Sequence, residues 1–305
     1  MSGAQAQQNV AEPRPGQDGY WPPVPRRRKV SNLVFWGVCL VAMALVIVPT
    51  LWLVVGIIAR AAPHFQFSVL WTKTDNEQGG LLQSVLGTIV ITFIAIVIGG
   101  VISILTGLYL SEFSNRRDRG FLRGGYEVLA GIPSIVLGYV GYIVLVVDLH
   151  LGFGLLPAVL VMSILTIPYI TKATETSLAQ VPTGYREGAE ALGIPTSWAM
   201  RKIIFKSAVP GIITGFLVAV AIAIGETAPL LYTANFSDQA PSLQHATHQA
   251  VPYLTYVVYY FSSLISTSTH ANYLAYDSAL ILLVFVFILI LLGRTVASIA
   301  RRNSE

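Results

Sequence analysis

The stretch that decides the fold runs from Lys172 to Pro229, where a polar, basic segment leads into a long apolar one. Its first half contains Pro182-Thr-Gly-Tyr-Arg-Glu-Gly-Ala-Glu-Ala-Leu-Gly-Ile-Pro195, a run of helix-forming residues bounded by prolines. Its second half is the apolar run 208–234, which contains Gly225-Glu-Thr-Ala-Pro229. A short polar helix that leads into a membrane span with an ionisable residue inside it is typical of a device that transmits movement into a membrane pathway.

The composition places most of the chain in lipid. Of the 305 residues, 54% are hydrophobic and only 11% are charged, whereas soluble domains carry about 25% charged residues. Six apolar runs approach the length of about 20 residues that a spanning helix needs: 33–58, 84–110, 127–147, 155–171, 208–234 and 275–298. Since backbone groups must be paired in hydrocarbon, we predict an all-α bundle of six transmembrane helices. The fourth run, which is short and contains Pro168, is the weakest.

Lysine and arginine fall almost entirely on one side of the predicted membrane. With the N-terminus in the cytosol, 17 of the 19 lie in cytosolic segments, and only Arg60 and Lys73 lie outside. Cytosolic loops are enriched in basic residues, so we predict a multi-pass protein with both termini in the cytosol. The basic residues behind the net charge of +4 therefore set the membrane topology and do not indicate a nucleic-acid partner.

The domain organisation is simple. Residues 1–29 are rich in Gln, Gly and Pro and predict a disordered basic cytosolic tail. Residues 30–305 predict one transmembrane domain, with its core at about 80–300 and a cytosolic loop at 172–207. The external segment Val251–Leu264 is apolar but bounded by Pro252 and serines, and it predicts a surface or half-embedded helix and not a span.

Nothing in the sequence predicts a cofactor or metal held by this chain. It has no Gly-x-x-x-x-Gly-Lys-Ser/Thr loop for nucleotide phosphates, so it is not an ATPase. Cys39 is the only cysteine, and no acidic or cysteine residue joins His245 and His248.

Small residues recur along one stripe of three predicted spans. Helices approach closely through such stripes, so helix packing is the first interpretation, and lining of a substrate path is the alternative for the third and fifth spans. Ser134, Thr227 and Thr233 are polar groups on those two spans. The stripes are Gly99, Ser103 and Gly107; Gly131, Ser134, Gly138 and Gly141; and Gly211, Gly215, Ala219, Ala223 and Thr227.

The cytosolic loop predicts a short helix along the membrane surface. Pro182 ends the helix that continues from the fourth span, and Thr183 is the predicted N-cap. The segment Gly184–Leu192 predicts two helical turns, with Gly193 in the left-handed position that ends them. The chain then returns to the membrane through Ser197–Val209.

The segment Glu187-Gly-Ala-Glu-Ala-Leu-Gly193 resembles the EAA loop of ABC importer permeases, whose type I fold the resemblance implies for this chain. In that family the loop forms a coupling helix that docks into a groove on a separate cytosolic ATPase. Gly188 stands where the motif usually has alanine, which lowers helix propensity by up to about 1 kcal/mol. The resemblance implies this coupling role for Arg186, Glu187, Gly188, Ala189, Glu190 and Gly193.

Glu226 is an ionisable residue inside a predicted span. It lies about 16 residues, or roughly 24 Å, along that helix, in the outer half of the bilayer. A carboxylate at this depth is costly and indicates function. We predict that it faces another helix and that Pro229 bends its own helix. The alternative is a structural hydrogen bond to a neighbouring subunit.

The string Gly225-Glu-Thr-Ala-Pro-Leu-Leu231 resembles the signature of PstA-type permeases of the phosphate-specific ABC importer, as do Thr74–Gly80, Gly107–Glu112 and Pro133–Val136. The resemblance implies a phosphate permease in the bacterial cytoplasmic membrane, in contact with membrane lipid. Its implied partners are a sister PstC-type permease, a PstB-type ATPase dimer that binds ATP and Mg, and a PstS-type external phosphate-binding protein. The residues predicted for the path or gate are Pro133, Ser134, Gly225, Glu226, Thr227 and Pro229.

One position departs from the family. Many relatives have an arginine three residues before the signature glycine, where this chain has Ile222. Since Glu226 alone repels an anion, we predict that it pairs with a cation of the sister subunit, is protonated, or acts as a gate. The alternatives are a permease for molybdate or sulfate, a proton-coupled secondary transporter that uses Glu226, and a membrane scaffold or sensor without transport.

Overall fold

The computed structural model describes residues 26–75, 79–263 and 269–302, and within these ranges the regular structure is entirely helical. Most of the tail predicted at 1–29 lies outside them, and residues 26–29 begin the first helix. The helices are α1 (Arg26–Ala61), α2 (Leu82–Leu108), α3 (Arg116–Gly131), α4 (Ser134–Gly141), α5 (Leu155–Ala179), α6 (Thr183–Ala191), α7 (Thr196–Ala199), α8 (Phe205–Gly225), α9 (Ala228–Thr233), α10 (Leu254–Ser263) and α11 (Thr269–Arg302).

Three of these helices are extended by π-helical turns, and a 3₁₀ turn, Phe67–Leu70, precedes α2. The π segments are Tyr109–Phe113 after α2, Tyr142–Asp148 after α4 and Met200–Ile204 between α7 and α8. The chain divides into two units, of which the first ends at Gly56 and, in the described residues, is one apolar helix. The second unit begins at Ile57 and contains α2 to α11.

The six predicted apolar runs all correspond to membrane-length helical segments. Five continuous stretches are long and apolar enough to cross a bilayer, and a bent pair of helices supplies a sixth. The predicted all-α bundle is therefore confirmed. The five stretches are Arg27–Ala61, Leu82–Phe113, Leu155–Ala179, Thr196–Gly225 and Thr269–Ser298.

The third predicted span is not one straight helix. The run 127–147 is broken at Ile132-Pro133, and Arg116–Gly131 meets Ser134–Asp148 at 97°. The residue before a proline is driven into the extended region, which matches the φ of −73° and ψ of 125° at Ile132. The proline therefore separates a polar helix, α3, from an apolar one, α4.

The fourth predicted span, the weakest in the sequence, is the most deeply buried helix of the membrane domain. It runs from Leu155 to Ala179, with Pro168 inside it, and two thirds of its most apolar window is buried. A Cβ added to Gly99 of α2 would lie 2.7 Å from the carbonyl oxygen of Ser163. The stripe on α2 therefore serves close packing against α5.

The stripe on α8 also serves packing. A Cβ added at Gly211 would lie 2.5 Å from Ser177 Oγ of α5, and Ala219 and Ala223 are almost fully buried. These contacts support the packing interpretation for α8, although Gly211 and Gly215 also border an open groove between α5 and α8.

The external segment predicted at Val251–Leu264 is a helix, α10, of only 10 residues. It is not among the membrane-length stretches, as predicted, but one of its faces is buried. Leu254, Val257 and Phe261 join a core cluster that includes Leu274 of α11. Leu264 itself lies outside the described residues.

Candidate coupling helix and membrane path

Helix α6, in the loop predicted to be cytosolic, begins one residue earlier than a capping role for Thr183 requires. Pro182, with φ −53° and ψ 136°, occupies the N-cap position, and no side chain caps the helix there. Thr183 is the first helical residue, so its prediction as N-cap was wrong. The reason is that proline has the fixed φ suited to helix starts and needs no amide partner.

The end of α6 is as predicted. Gly193 has φ +66°, in the left-handed region that glycine adopts readily. Its amide donates to the Glu190 carbonyl at 3.0 Å, and the amide of Ile194 donates to the Ala189 carbonyl at 2.9 Å. This pair of bonds is a Schellman motif, and it fixes the direction in which the chain leaves the helix.

The two faces of α6 differ in character. Arg186 and Ala189, three residues apart, face the membrane domain, and Ala189 is buried. Glu187, Gly188 and Glu190 are exposed. Of the six predicted coupling residues, two therefore attach the helix to its own domain, three are presented outward, and Gly193 ends the helix.

Arg186 is the attachment point. Its guanidinium binds Glu112 through two bonds, Nη2 to Oε1 at 2.6 Å and Nε to Oε2 at 3.3 Å. It also donates to the carbonyl oxygens of Val181 at 3.0 Å and Leu178 at 3.1 Å. The hydrogen bonds to Glu112 raise the pKa of the Arg186 guanidinium. One side chain thus joins α6, the end of α5 and the π turn after α2.

A second ionic link lies beside the first. Glu175, near the C-terminal end of α5 and almost fully buried, accepts from Tyr126 Oη at 2.7 Å and from Arg123, both on α3. The sequence analysis assigned no role to Glu175, Arg123 or Tyr126, and it did not pair Glu112 with Arg186. The available signal was a carboxylate at the cytosolic end of each of two apolar spans, which must be paired when it is buried.

Large apolar side chains accompany the exposed glutamates. Tyr185 on α6, Leu192 directly after it and Trp198 on α7 are 51%, 78% and 49% exposed. Exposed aromatic and aliphatic groups next to charges are typical of a protein interface. The outward face of α6 therefore has the chemistry of a docking surface.

The structure changes the prediction for Glu226. Helix α8 ends at Gly225, Glu226 is extended with φ −72° and ψ 132°, and α9 starts at Ala228. Glu226 is therefore not inside a helix, and Pro229 does not bend one, because it occupies the first turn of α9, where proline is favoured. The break frees the Glu226 carbonyl, which accepts from Thr255 Oγ1 of α10 at 2.9 Å.

The carboxylate of Glu226 is left available. Its side chain is half-buried, and among the described residues it makes no hydrogen bond or ion pair. Glu226 was predicted to face another helix. Its backbone carbonyl does contact α10, but its carboxylate contacts no other helix through a hydrogen bond or ion pair in the described residues.

The other predicted path residues are only partly brought together. Helix α4 packs against α9 so closely that a Cβ at Gly138 would lie 2.5 Å from Pro229 Cα. Pro229 is buried, which makes it a packing residue, whereas Gly225 is exposed. Pro133 and Ser134 form the start of α4. Within the described ranges no hydrogen bond joins Ser134 or Thr227 to Glu226.

Comparison with known proteins identifies the family. The family model for binding-protein-dependent transport system inner membrane components matches residues 99–303, a segment that contains both α6 and the break at Glu226. The chain belongs to this family. It is therefore a multi-pass, non-catalytic membrane component of a transport system that depends on a binding protein.

Curated relatives cover nearly the whole chain. The phosphate transport system permease protein PstA 2 of Mycobacterium bovis is 53% identical over 277 residues, 91% of either chain. The phosphate transport system permease protein PstA of Haemophilus influenzae is 31% identical over 273 residues, 88% of this chain and 93% of that one.

Solved structures of ABC transporters share the fold. An inward-facing form of the MetNI methionine ABC transporter aligns with a TM-score of 0.58 at 19% identity, over 77% of this chain and 99% of that one. A bacterial ABC transporter involved in import of the acidic polysaccharide alginate aligns with a TM-score of 0.57 at 14% identity, over 92% and 98%. The fold is that of an ABC importer permease.

Proposed function

We propose that this chain is the permease subunit through which inorganic phosphate crosses the bacterial cytoplasmic membrane, driven by a separate ATPase. The observation that carries the proposal is the division of α6 into an exposed acidic face and an inward face clamped by Arg186. Two curated relatives named as phosphate transport permeases support phosphate as the substrate.

The clamp gives the coupling a physical basis. An ATPase that grips Glu187 and Glu190 moves α6, and the Arg186–Glu112 pair passes that movement to α2 and α5 as a rigid-body displacement. The Glu175 link to Arg123 and Tyr126 carries it to α3. ATP and Mg bind to the ATPase, since this chain lacks a phosphate-binding loop.

The break between α8 and α9 is the proposed gate. Broken membrane helices expose backbone groups and side chains to a substrate path. An unpaired carboxylate repels phosphate, so Glu226 pairs with a cation of a PstC-type sister permease or takes up a proton when the path opens. Thr227 and Ser134 are the neighbouring hydroxyls that can donate to an anion.

The complete transporter in this proposal contains a PstC-type permease, a PstB-type ATPase dimer and a PstS-type binding protein that delivers phosphate from outside. Both termini of the chain and α6 lie in the cytosol, in agreement with the distribution of lysine and arginine.

The test is uptake of radiolabelled phosphate into proteoliposomes that contain the co-purified complex and the binding protein. We expect uptake that requires internal ATP, is lost in Glu187→Lys, and is not displaced by excess sulfate or molybdate. Uptake of those oxyanions instead of phosphate would overturn the assignment of phosphate as the substrate. Uptake driven by a proton gradient without ATP would overturn the ATPase coupling.

A further inference from the structure

Helix α3 is nearly perpendicular to the apolar segment that follows it. It has 16 residues, a length of about 24 Å, and it meets the α4 segment at 97°. Two residues, Ser114 and Asn115, separate it from Phe113, where the α2 span ends, and it leads through Ile132-Pro133 into the apolar segment of α4. Both ends of α3 are therefore joined to apolar helical segments.

One face of α3 is bonded to the membrane domain. Arg119 Nε donates to Ser114 Oγ at 3.0 Å, Arg123 pairs with Glu175, and Tyr126 Oη donates to the same carboxylate at 2.7 Å. At the start of the helix, Asn115 Oδ1 accepts from the amides of the second and third helical residues. These bonds fix which face of the helix points outward.

The outward face combines cations with large apolar groups. Phe121 is 81% exposed and Val128 is 68% exposed, and with Arg117 they follow the i, i+4, i+11 spacing of one helical stripe. Arg116 is also exposed. In the described part of the chain the side chains of Arg116 and Arg117 make no hydrogen bond or ion pair, in contrast to Arg119 and Arg123.

We propose that α3 lies in the cytosolic membrane interface and binds anionic phospholipid. Arg116 and Arg117 contact the headgroup phosphates, while Phe121 and Val128 insert at the acyl boundary. A helix with cations and bulky apolar side chains on its free face is typical of interfacial binding, and both ends of this helix are joined to apolar helical segments. Because Glu175 joins α3 to α5, the lipid contact also supports the cytosolic end of the domain.

The first test measures lipid selectivity. The co-purified complex is placed in nanodiscs of phosphatidylcholine mixed with phosphatidylglycerol, and retained lipids are counted by native mass spectrometry. We expect enrichment of phosphatidylglycerol that falls about 30-fold in affinity in the double variant Arg116→Gln/Arg117→Gln. Arg116→Lys/Arg117→Lys keeps the charge and stays close to the unmodified chain. Lys73→Gln, which removes an exposed cation on the opposite side of the membrane, leaves the enrichment unchanged.

The second test measures depth and does not depend on loss of a charge. A nitroxide label is placed at Phe121→Cys, or at Leu243→Cys in the external loop as a control, each in a Cys39→Ser background. We expect the label at 121 to be relaxed by oxygen dissolved in lipid and the label at 243 by a water-soluble nickel reagent.

Three results would overturn the proposal. They are unchanged phosphatidylglycerol enrichment in the double Gln variant, equal nickel access at positions 121 and 243, and cross-linking of position 121 to another protein subunit. Displacement of the retained lipid by soluble glycerol phosphate would also contradict it, because the site would then recognise the free anion and not a membrane surface. Phosphate uptake is not a readout of either test, so the lipid proposal stands or falls independently of the substrate.

Discussion

The end of this permease that carries α6 and the break at Glu226 both contain glutamates in or near the membrane, but their surroundings are opposite. Glu112 receives two bonds from one guanidinium, and Glu175 receives bonds from a tyrosine and an arginine. Glu226 receives one bond, through its backbone carbonyl, and its carboxylate has no partner among the described residues. Paired carboxylates connect helices, whereas an unpaired one is available to something that the single chain does not contain.

In the proposed mechanism, the paired glutamates belong to the part that transmits movement from the ATPase, and Glu226 belongs to the gate. Removing one partner of a buried ion pair leaves the other charge unpaired and is strongly destabilising. The helices joined by the Arg186–Glu112 and Arg123–Glu175 pairs are therefore expected to move together. Helix packing and the hydrogen bond from the Thr255 hydroxyl fix the backbone at Glu226. The Glu226 carboxylate is therefore able to gain a partner without movement of the backbone.

Removal of the clamp is expected to have the largest effect on stability. Arg186→Ala leaves Glu112, which is 11% exposed, and two carbonyl groups without their donor, and we expect it to lower the free energy of unfolding by about 3 kcal/mol. Arg186→Lys should lose less, because it keeps the charge but not the forked geometry. Denaturant unfolding of the purified chain in detergent measures both. Arg201→Ala, at an exposed arginine, is the control, and equal losses in the two alanine variants would contradict the clamp.

Disturbing the packing of α4 on α9 should have the next largest effect on stability. In Gly138→Ala the new Cβ would meet backbone atoms of Pro229 that cannot rotate away, and we expect a loss of about 1–3 kcal/mol. Gly131→Ala is the matched variant, since a Cβ there has no neighbour within 4 Å. Thermal unfolding of the two should differ clearly. If Gly138→Ala were as stable as Gly131→Ala, the close approach that positions the gate would be wrong.

Two glycines of the coupling loop should respond with opposite signs. Gly193→Ala forces a non-glycine residue into the left-handed region and should cost about 1 kcal/mol. Gly188→Ala adds a Cβ into open space and should stabilise α6 by up to about 1 kcal/mol. The measurement is the unfolding midpoint of each variant relative to the unmodified chain. A shift in the same direction for both would contradict the Schellman geometry.

Neutralising Glu226 should have the smallest effect on stability and a large effect on transport. Because the carboxylate has no partner in the described chain, Glu226→Gln should change the free energy of unfolding by less than about 0.5 kcal/mol. Phosphate uptake by the assembled complex should fall. Glu175→Gln is the control that destabilises. Unchanged uptake and unchanged assembly in Glu226→Gln would remove Glu226 from the gate.

Much of the fold follows from sequence because it depends on local composition. The apolar runs, the charge asymmetry, the limits of α6 to within a residue and the left-handed Gly193 are all properties of short segments. Pro168 makes the fourth span the weakest by sequence, yet proline is tolerated in membrane helices when neighbouring helices surround it, and α5 is buried between α2 and α8.

The parts that sequence did not predict depend on contacts between distant segments. The Arg186–Glu112 pair spans 74 residues and the Arg123–Glu175 pair spans 52, so no local pattern predicts either partner. The helix break before Pro229 was predicted as a bend after Glu226, because a single proline signals an irregularity without fixing the residue at which helical bonding stops. The Glu226 carbonyl that the break frees accepts a hydrogen bond from Thr255 of α10. The pattern of apolar runs does not predict where α10 lies relative to this break.

The central claim is that the outward face of α6 binds the ATPase while its inward clamp transmits the movement. The most direct test compares Glu187→Lys with Arg186→Lys in the co-purified complex, with ATPase content read by mass spectrometry and phosphate uptake measured per ATP hydrolysed. The account predicts that Glu187→Lys loses the ATPase, whereas Arg186→Lys keeps it but transports less phosphate per ATP. Retention of the ATPase in Glu187→Lys together with full coupling in Arg186→Lys would contradict it.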